Sequence, residues 1–136
     1  MPFTRISLLE GKSANYVQAL SDSLQQAMVE TFNVPAADRF QAIHQHRPGE
    51  LIFDRNYFGG PRSDDFVVFS ITTGKPRNTA TKKAFYKRLV TLLGESPGVR
   101  PDDVMIIIST SSRDEWSFSN GEAQMLEGVA VEEEKS

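Results

Sequence analysis

Proline at position 2 places a secondary amine one residue from the start of the chain. If Met1 is removed, that nitrogen becomes the terminus. An amino-terminal amine has an ordinary pKa of about 7.7–8.0, so its surroundings can set it as a base or an acid near neutral pH. A small residue after Met1 normally permits removal of the methionine, whereas a retained Met1 holds the nitrogen in an amide. Asp38, after Pro35-Ala36-Ala37, is suited to orient a water, accept a proton or keep an ammonium ion charged. Lys75-Pro76-Arg77 sets two cations on either side of a stiff residue. Arg77 offers a planar fork to a carboxylate, and Lys75 offers a mobile point charge. Each signal alone reads as well in a plainer way: an inert terminus, an Asp38–Arg39 surface pair or turn cap, a solvated basic turn. An amine, an acid and an anion grip in this order are nevertheless the parts of one device for a small carboxylate.

Other residue types are less specific. His44 and His46 are two apart and share a face if they lie on a strand, but no third metal ligand is evident. Trp116, Phe118, Met125 and Leu126 suit an apolar wall beside a small substrate, or ordinary core packing.

The positioning elements follow from periodicity. Phe3–Leu9 reads as a strand, and Ser13 caps a helix carrying Val17, Leu20, Leu24, Ala27, Met28 and Phe32 at helical spacing. Val34-Pro35 ends it, and Phe40–His46 alternates as a second strand. A loop region covers Leu51–Arg62. Phe66–Ile71 is a third strand, and Gly74–Asn78 is a loop. Thr79 or Thr81 is the expected cap of a second helix burying Ala84, Phe85, Leu89, Leu92 and Leu93. Pro97-Gly98 stops that helix before a fourth strand at Val104–Ile108. Two strand–helix–strand units of this kind form parallel, right-handed crossovers. Side by side they give an α/β (α+β) fold, a four-stranded sheet with two helices on one face. The other face is then expected to be exposed, apolar and covered by association. The loop after the third strand lies at a strand's carboxyl end, a common place for α/β sites, and the next helix adds its positive end.

The bulk properties agree with one domain. The chain has 136 residues, 39% hydrophobic and 24% charged, enough for a core. A net charge of −3 and a pI near 5.4 argue against nucleic-acid binding. With no cysteine there is no disulfide, thiolate nucleophile or thiolate metal site. The start is not a signal peptide and no apolar run is long enough to span a membrane, so a cytoplasmic location is the default. Residues 1–131 read as the domain and 132–136 as a charged, frayed tail.

The chain resembles the tautomerase superfamily, in particular its malonate semialdehyde decarboxylase branch. The resemblance rests on Pro2, on Val34-Pro35-Ala36-Ala37-Asp38-Arg39-Phe40-Gln41 and on Gln45-His46-Arg47-Pro48-Gly49-Glu50. It continues through Arg62-Ser63, Lys75-Pro76-Arg77, Pro101-Asp102-Asp103-Val104 and Asp114-Glu115-Trp116-Ser117-Phe118, and runs to about Val131. It implies a β-α-β-β-α-β pseudo-repeat, a homotrimer, and catalysis by the terminal proline. Pro2, Asp38 and Arg77 match the catalytic positions, and Trp116 and Phe118 match the apolar wall. Lys75 stands where the decarboxylase has arginine, which keeps the charge and loses the fork. Met125 replaces an aromatic wall residue, which makes the pocket larger or more adaptable.

The resemblance therefore implies a cofactor-independent lyase that decarboxylates malonate semialdehyde or a related 3-oxo acid. The same parts serve a keto–enol tautomerase (an isomerase of the phenylenolpyruvate type), or a hydratase or dehalogenase of unsaturated acids in which Asp38 activates water. None of these routes requires a metal or an organic cofactor. A non-enzymatic reading is a trimeric binding module for small carboxylates, which keeps Lys75 and Arg77 and makes Pro2 dispensable.

Overall fold

The computed structural model describes residues 1–127. Four strands and two long helices follow the order β1 (Pro2–Leu9), α1 (Ala14–Phe32), β2 (Gln41–His46), β3 (Val67–Thr73), α2 (Thr79–Glu95) and β4 (Val104–Thr110). Short 3-10 turns lie at Pro101–Asp103 and Arg113–Glu115. The sheet order is β2-β1-β3-β4. β1 with β2 and β3 with β4 are parallel pairs, and β1 runs antiparallel to β3 at the centre. Both halves are thus strand–helix–strand units with parallel strands, as expected.

Alternation selects the face that the helices cover. Thr4, Ile6 and Leu8 of β1 lie opposite Ile71, Phe69 and Val67 of β3, and all six are buried. Phe32 of α1 stacks on Phe85 of α2 with ring centroids 4.5 Å apart, joining the two helices above the sheet. Each fully buried side chain of this size contributes about 1.5–3 kcal/mol. Pro2 is tolerated at the start of a central strand because β1–β2 pairing begins only at Thr4, opposite Gln41.

Four expectations are corrected in detail. Ala84 is exposed, and α2 buries Phe85, Leu89, Leu92 and Leu93, because Ala84 falls off the stripe those four residues share. Asn78, rather than Thr79 or Thr81, caps α2: its side chain accepts from Thr81 N–H at 2.8 Å. Asn is among the best N-caps, and it immediately precedes the first helical residue. β3 continues through Thr72 and Thr73, and β4 through Ser109 and Thr110, because pairing with a neighbour carries polar residues along. The uncovered sheet face is mixed rather than apolar. Phe3, Val68, Met105 and Ile107 alternate in space with Arg5, Ser7, His44, Ser70 and Thr72. The proposed tail, 132–136, and the last residues of the proposed domain lie outside the described residues.

Candidate active site

Topology brings the predicted residues to one end of the sheet. The parallel β1–β2 pair sets the start of β1 beside the turn that enters β2. The antiparallel β1–β3 pair then sets Pro2 opposite Thr73, at the end of β3. The parallel β3–β4 pair carries the segment after β4 to the same place: Ser111 donates to Thr73 O from both its backbone N–H (2.8 Å) and its hydroxyl (2.9 Å). The amino terminus, residues 35–38, the loop after β3 and residues 111–125 therefore converge without any long-range coincidence in the sequence.

Met1 precedes Pro2 in the structure, so the Pro2 nitrogen is an amide and the terminal amine belongs to Met1. That amine lies 3.4 Å from Asp38 Oδ2. Burial lowers its pKa from 8.0 to about 6; Asp38 opposes the fall, while Arg77 and Lys75 add to it. Met1 and Asp38 line a cavity of about 360 Å³. Its apolar wall comes from Pro35, Ala37, Phe40, Phe118 and Met125, and Ser119 and Gln124 supply a polar edge.

Asp38 is held by its backbone. Its N–H donates to Pro35 O at 2.9 Å, closing the turn. From beneath, the Gln25 side-chain amide of α1, 4% exposed, reaches the carbonyls of Pro35, Ala36 and Asp38 at 3.4, 3.4 and 3.1 Å. The two carboxylate oxygens are buried, and the ion pair with the amine and the charge of Arg77 compensate them.

Arg77 is buried at 8% exposure. Its Nη1 donates to Lys75 O at 2.9 Å and its Nη2 to Phe32 O at 3.3 Å, and the guanidinium lies 4.6 Å from the Phe32 ring centroid. It braces the loop against the end of α1 and acts on the amine through its charge. Burial pushes its own pKa down, and Asp38 pushes it up. Neither Arg77 nor Lys75 lines the cavity.

The wall residues separate into two ranks. Phe118 and Met125 line the cavity, and Phe118 contacts Phe40 at 5.8 Å between centroids. Trp116 stacks behind Phe118 at 5.7 Å, and its indole N–H donates to Ser111 Oγ at 2.8 Å. Leu126 is 58% exposed and does not line the cavity. Gly74 makes room for this layer, since a Cβ there would sit 3.0 Å from Trp116 Nε1 and 3.3 Å from the Met125 methyl. His44 and His46 lie on the uncovered sheet face, away from the cavity; His44 Nε2 and Arg5 Nη1 are 3.1 Å apart. Among the described residues no three His, Cys, Asp or Glu side chains are grouped to hold a metal.

Gln25, Phe40, Gly74, Ser111 and Gln124 escaped the sequence reading. Phe40 alone carried a signal, a large apolar residue directly after Asp38-Arg39. Gln25 looks like any helix residue until the turn it clamps is known.

Comparison with known proteins decides the family. A model described as tautomerase enzyme matches residues 38–119, and a second with the same description matches 2–60. The chain belongs to the tautomerase family. A probable tautomerase of Bacillus subtilis (strain 168), YusQ, is 38% identical over 127 residues, covering 93% of this chain and all of the relative. The crystal structure of malonate semialdehyde decarboxylase, a protein described as having decarboxylase and hydratase activities, superposes with a TM-score of 0.89 at 36% identity. That match covers 95% of this chain and 99% of the other. A fused 4-OT symmetric trimer has the same fold, with a TM-score of 0.74 at 17% identity over 93% of this chain and 98% of the other. This tautomerase-family chain is therefore a four-stranded, two-helix member, with its amino terminus at the apolar cavity.

Proposed function

We propose that this protein is an enzyme whose terminal proline, exposed by removal of Met1, acts on a small oxo acid, with decarboxylation of a 3-oxo acid such as malonate semialdehyde as its main reaction. The observation that carries this reading is the amino terminus buried at an apolar cavity, 3.4 Å from Asp38 and within electrostatic reach of Lys75 and Arg77. The likeness to malonate semialdehyde decarboxylase over nearly the whole chain supports the choice of reaction.

In this mechanism Lys75 draws the carboxylate to the cavity mouth, and the buried Arg77 stiffens its loop and adds charge. The protonated Pro2 amine donates to the oxo oxygen. As the C–C bond breaks, its electron pair enters the carbonyl system as an enolate, which the Pro2 ammonium stabilises. Carbon dioxide leaves into surroundings formed by Phe40, Phe118 and Met125, which favour loss of the carboxylate charge. Protonation at carbon completes acetaldehyde. Pro2 as a nucleophile forming an iminium is the alternative electron sink.

A second reading is keto–enol tautomerisation, in which a neutral Pro2 amine acts as the base; burial in this cavity, which lowers the pKa of the Met1 amine to about 6, would also work against a charged Pro2. The likeness to YusQ points the same way. We also propose assembly as a homotrimer. The partly apolar open sheet face and the fold shared with a symmetric trimer support it.

The pH profile separates the two reactions. Decarboxylation by protonated Pro2 falls as pH rises through the amine pKa, whereas tautomerisation by neutral Pro2 rises through it. Activity on malonate semialdehyde that increases with pH across this limb would count against the acid role.

A further inference from the structure

One hydroxyl joins the two sides of the site. Ser111 lies one residue past the Thr73–Thr110 pair that ends the β3–β4 ladder. Its backbone N–H extends that ladder to Thr73 O at 2.8 Å, and its hydroxyl reaches the same oxygen at 2.9 Å. The hydroxyl oxygen is also 2.8 Å from the Trp116 indole nitrogen. A carbonyl can only accept and an indole N–H can only donate. The Ser111 proton therefore points to Thr73, and a lone pair points to Trp116.

On the strand side, Thr73 is buried, is the register partner of Pro2, and leads into the cationic loop. Its own hydroxyl donates to Lys75 O at 3.3 Å, where Arg77 Nη1 also donates at 2.9 Å. On the wall side, Trp116 stacks behind Phe118, which lines the cavity. A continuous path of contacts thus runs from Phe118 through Trp116, Ser111 and Thr73 to Lys75 and Arg77.

We propose that Ser111 is a positioning residue that couples the Lys75–Arg77 loop to the Trp116–Phe118 wall, so that the carboxylate grip and the apolar wall close together on one oxo acid. This role rests on the reading of the cavity as an oxo-acid site, and it belongs to a residue that does not itself line the cavity. The hydroxyl is not needed to finish the strand. Without it, Thr73 O keeps the Ser111 backbone donor and no strand group is left unpaired. What the hydroxyl adds is the link to the indole. Its bond to Thr73 O and its bond from Trp116 share one oxygen, so each polarises and orients the other. An indole without this acceptor loses its fixed direction, and the stacked Phe118 ring loses its backing.

The test uses protein shown by intact mass to lack Met1, as wild type, Ser111→Ala and Ser111→Thr. Trp116 is the only tryptophan of the chain, so indole fluorescence reports the wall alone. The probe is 3-hydroxypropanoate, with affinity measured by calorimetry and emission read at saturation. Wild type should bind with a change in Trp116 emission. Ser111→Ala should bind about 5- to 10-fold more weakly, the worth of one neutral hydrogen bond, and its emission should no longer respond at saturation. Ser111→Thr, which keeps the hydroxyl, should restore both. An emission response that persists in Ser111→Ala would overturn the coupling, as would wild type that binds with no response. Failure of Ser111→Thr to restore the response would assign the loss to packing and overturn it too. Each of these results leaves the oxo-acid reading standing. If wild type does not bind the acid at all, that reading falls and the role of Ser111 falls with it.

Discussion

The chemistry depends on the balance of charge around one amine. Around the Met1 amine, burial, Arg77 and Lys75 favour the neutral form and Asp38 favours the ammonium, and the Pro2 amine exposed by removal of Met1 is expected to meet the same groups. Asp38→Asn removes that one upward influence. The pKa of the Pro2 amine should fall, and the limb of the pH–rate profile that it controls should move to lower pH; an unmoved limb would uncouple the two groups. Lys75→Met should raise KM for a small oxo acid about 10- to 100-fold, the value of a charge-assisted contact of about 1.5–3 kcal/mol, with a smaller effect on kcat. Steady-state kinetics on the purified variant would check it. The chain that retains Met1 offers a further check. Its amine titrates at about 6 when folded and near 8.0 when unfolded. Between those values the unfolded chain binds more protons, so stability should rise with pH across that window and level off above it. Urea denaturation at several pH values would reveal the slope, and a flat profile would contradict the buried, lowered amine.

At the scale of elements, the site is a consequence of strand direction. Parallel β1–β2 pairing puts Asp38 beside the amino terminus, and Gln25 of α1 fixes the turn that carries it. Gln25→Leu keeps the bulk and leaves up to three carbonyls short of a donor. It should cost about 1–3 kcal/mol of stability and lower kcat/KM, as Asp38 loses its fixed position. Thermal denaturation together with kinetics would test both parts, and unchanged activity in a destabilised protein would restrict Gln25 to a structural role. Both βαβ halves were legible from apolar periodicity, because the residues that mark strands and helices are the ones that make the core. The order Pro2, Asp38, Lys75, Arg77 was legible as residues that strand direction brings to one end of the sheet. What remained hidden depends on three-dimensional neighbours. Gln25 shows no pattern of its own, Gly74 matters because Trp116 packs there, and the bonds of Arg77 to Lys75 O and Phe32 O join residues that the sequence does not bring together. The open face was misread for a related reason: residues of one strand alternate cleanly, but Arg5, His44 and Ser70 share that face only through register.

At the scale of the whole molecule, the open face is where copies of the chain should meet. Met105 and Ile107 on β4 are 45% and 44% exposed and point away from the helices. Sedimentation should give a particle three times the mass of the 15.2 kDa chain. Ile107→Glu should dissociate it with little loss of helical circular dichroism, since the charge enters the interface and not the core. A variant of unchanged mass would place the interface elsewhere. The central claim is that the free Pro2 amine performs chemistry on an oxo acid. Its most direct test is the rate of acetaldehyde formation from malonate semialdehyde, followed by proton NMR, for wild type and Pro2→Ala protein, both shown by intact mass to lack Met1. Wild type should turn over, and the variant should lose roughly 10²-fold or more of the rate. Equal rates in the two proteins would contradict it.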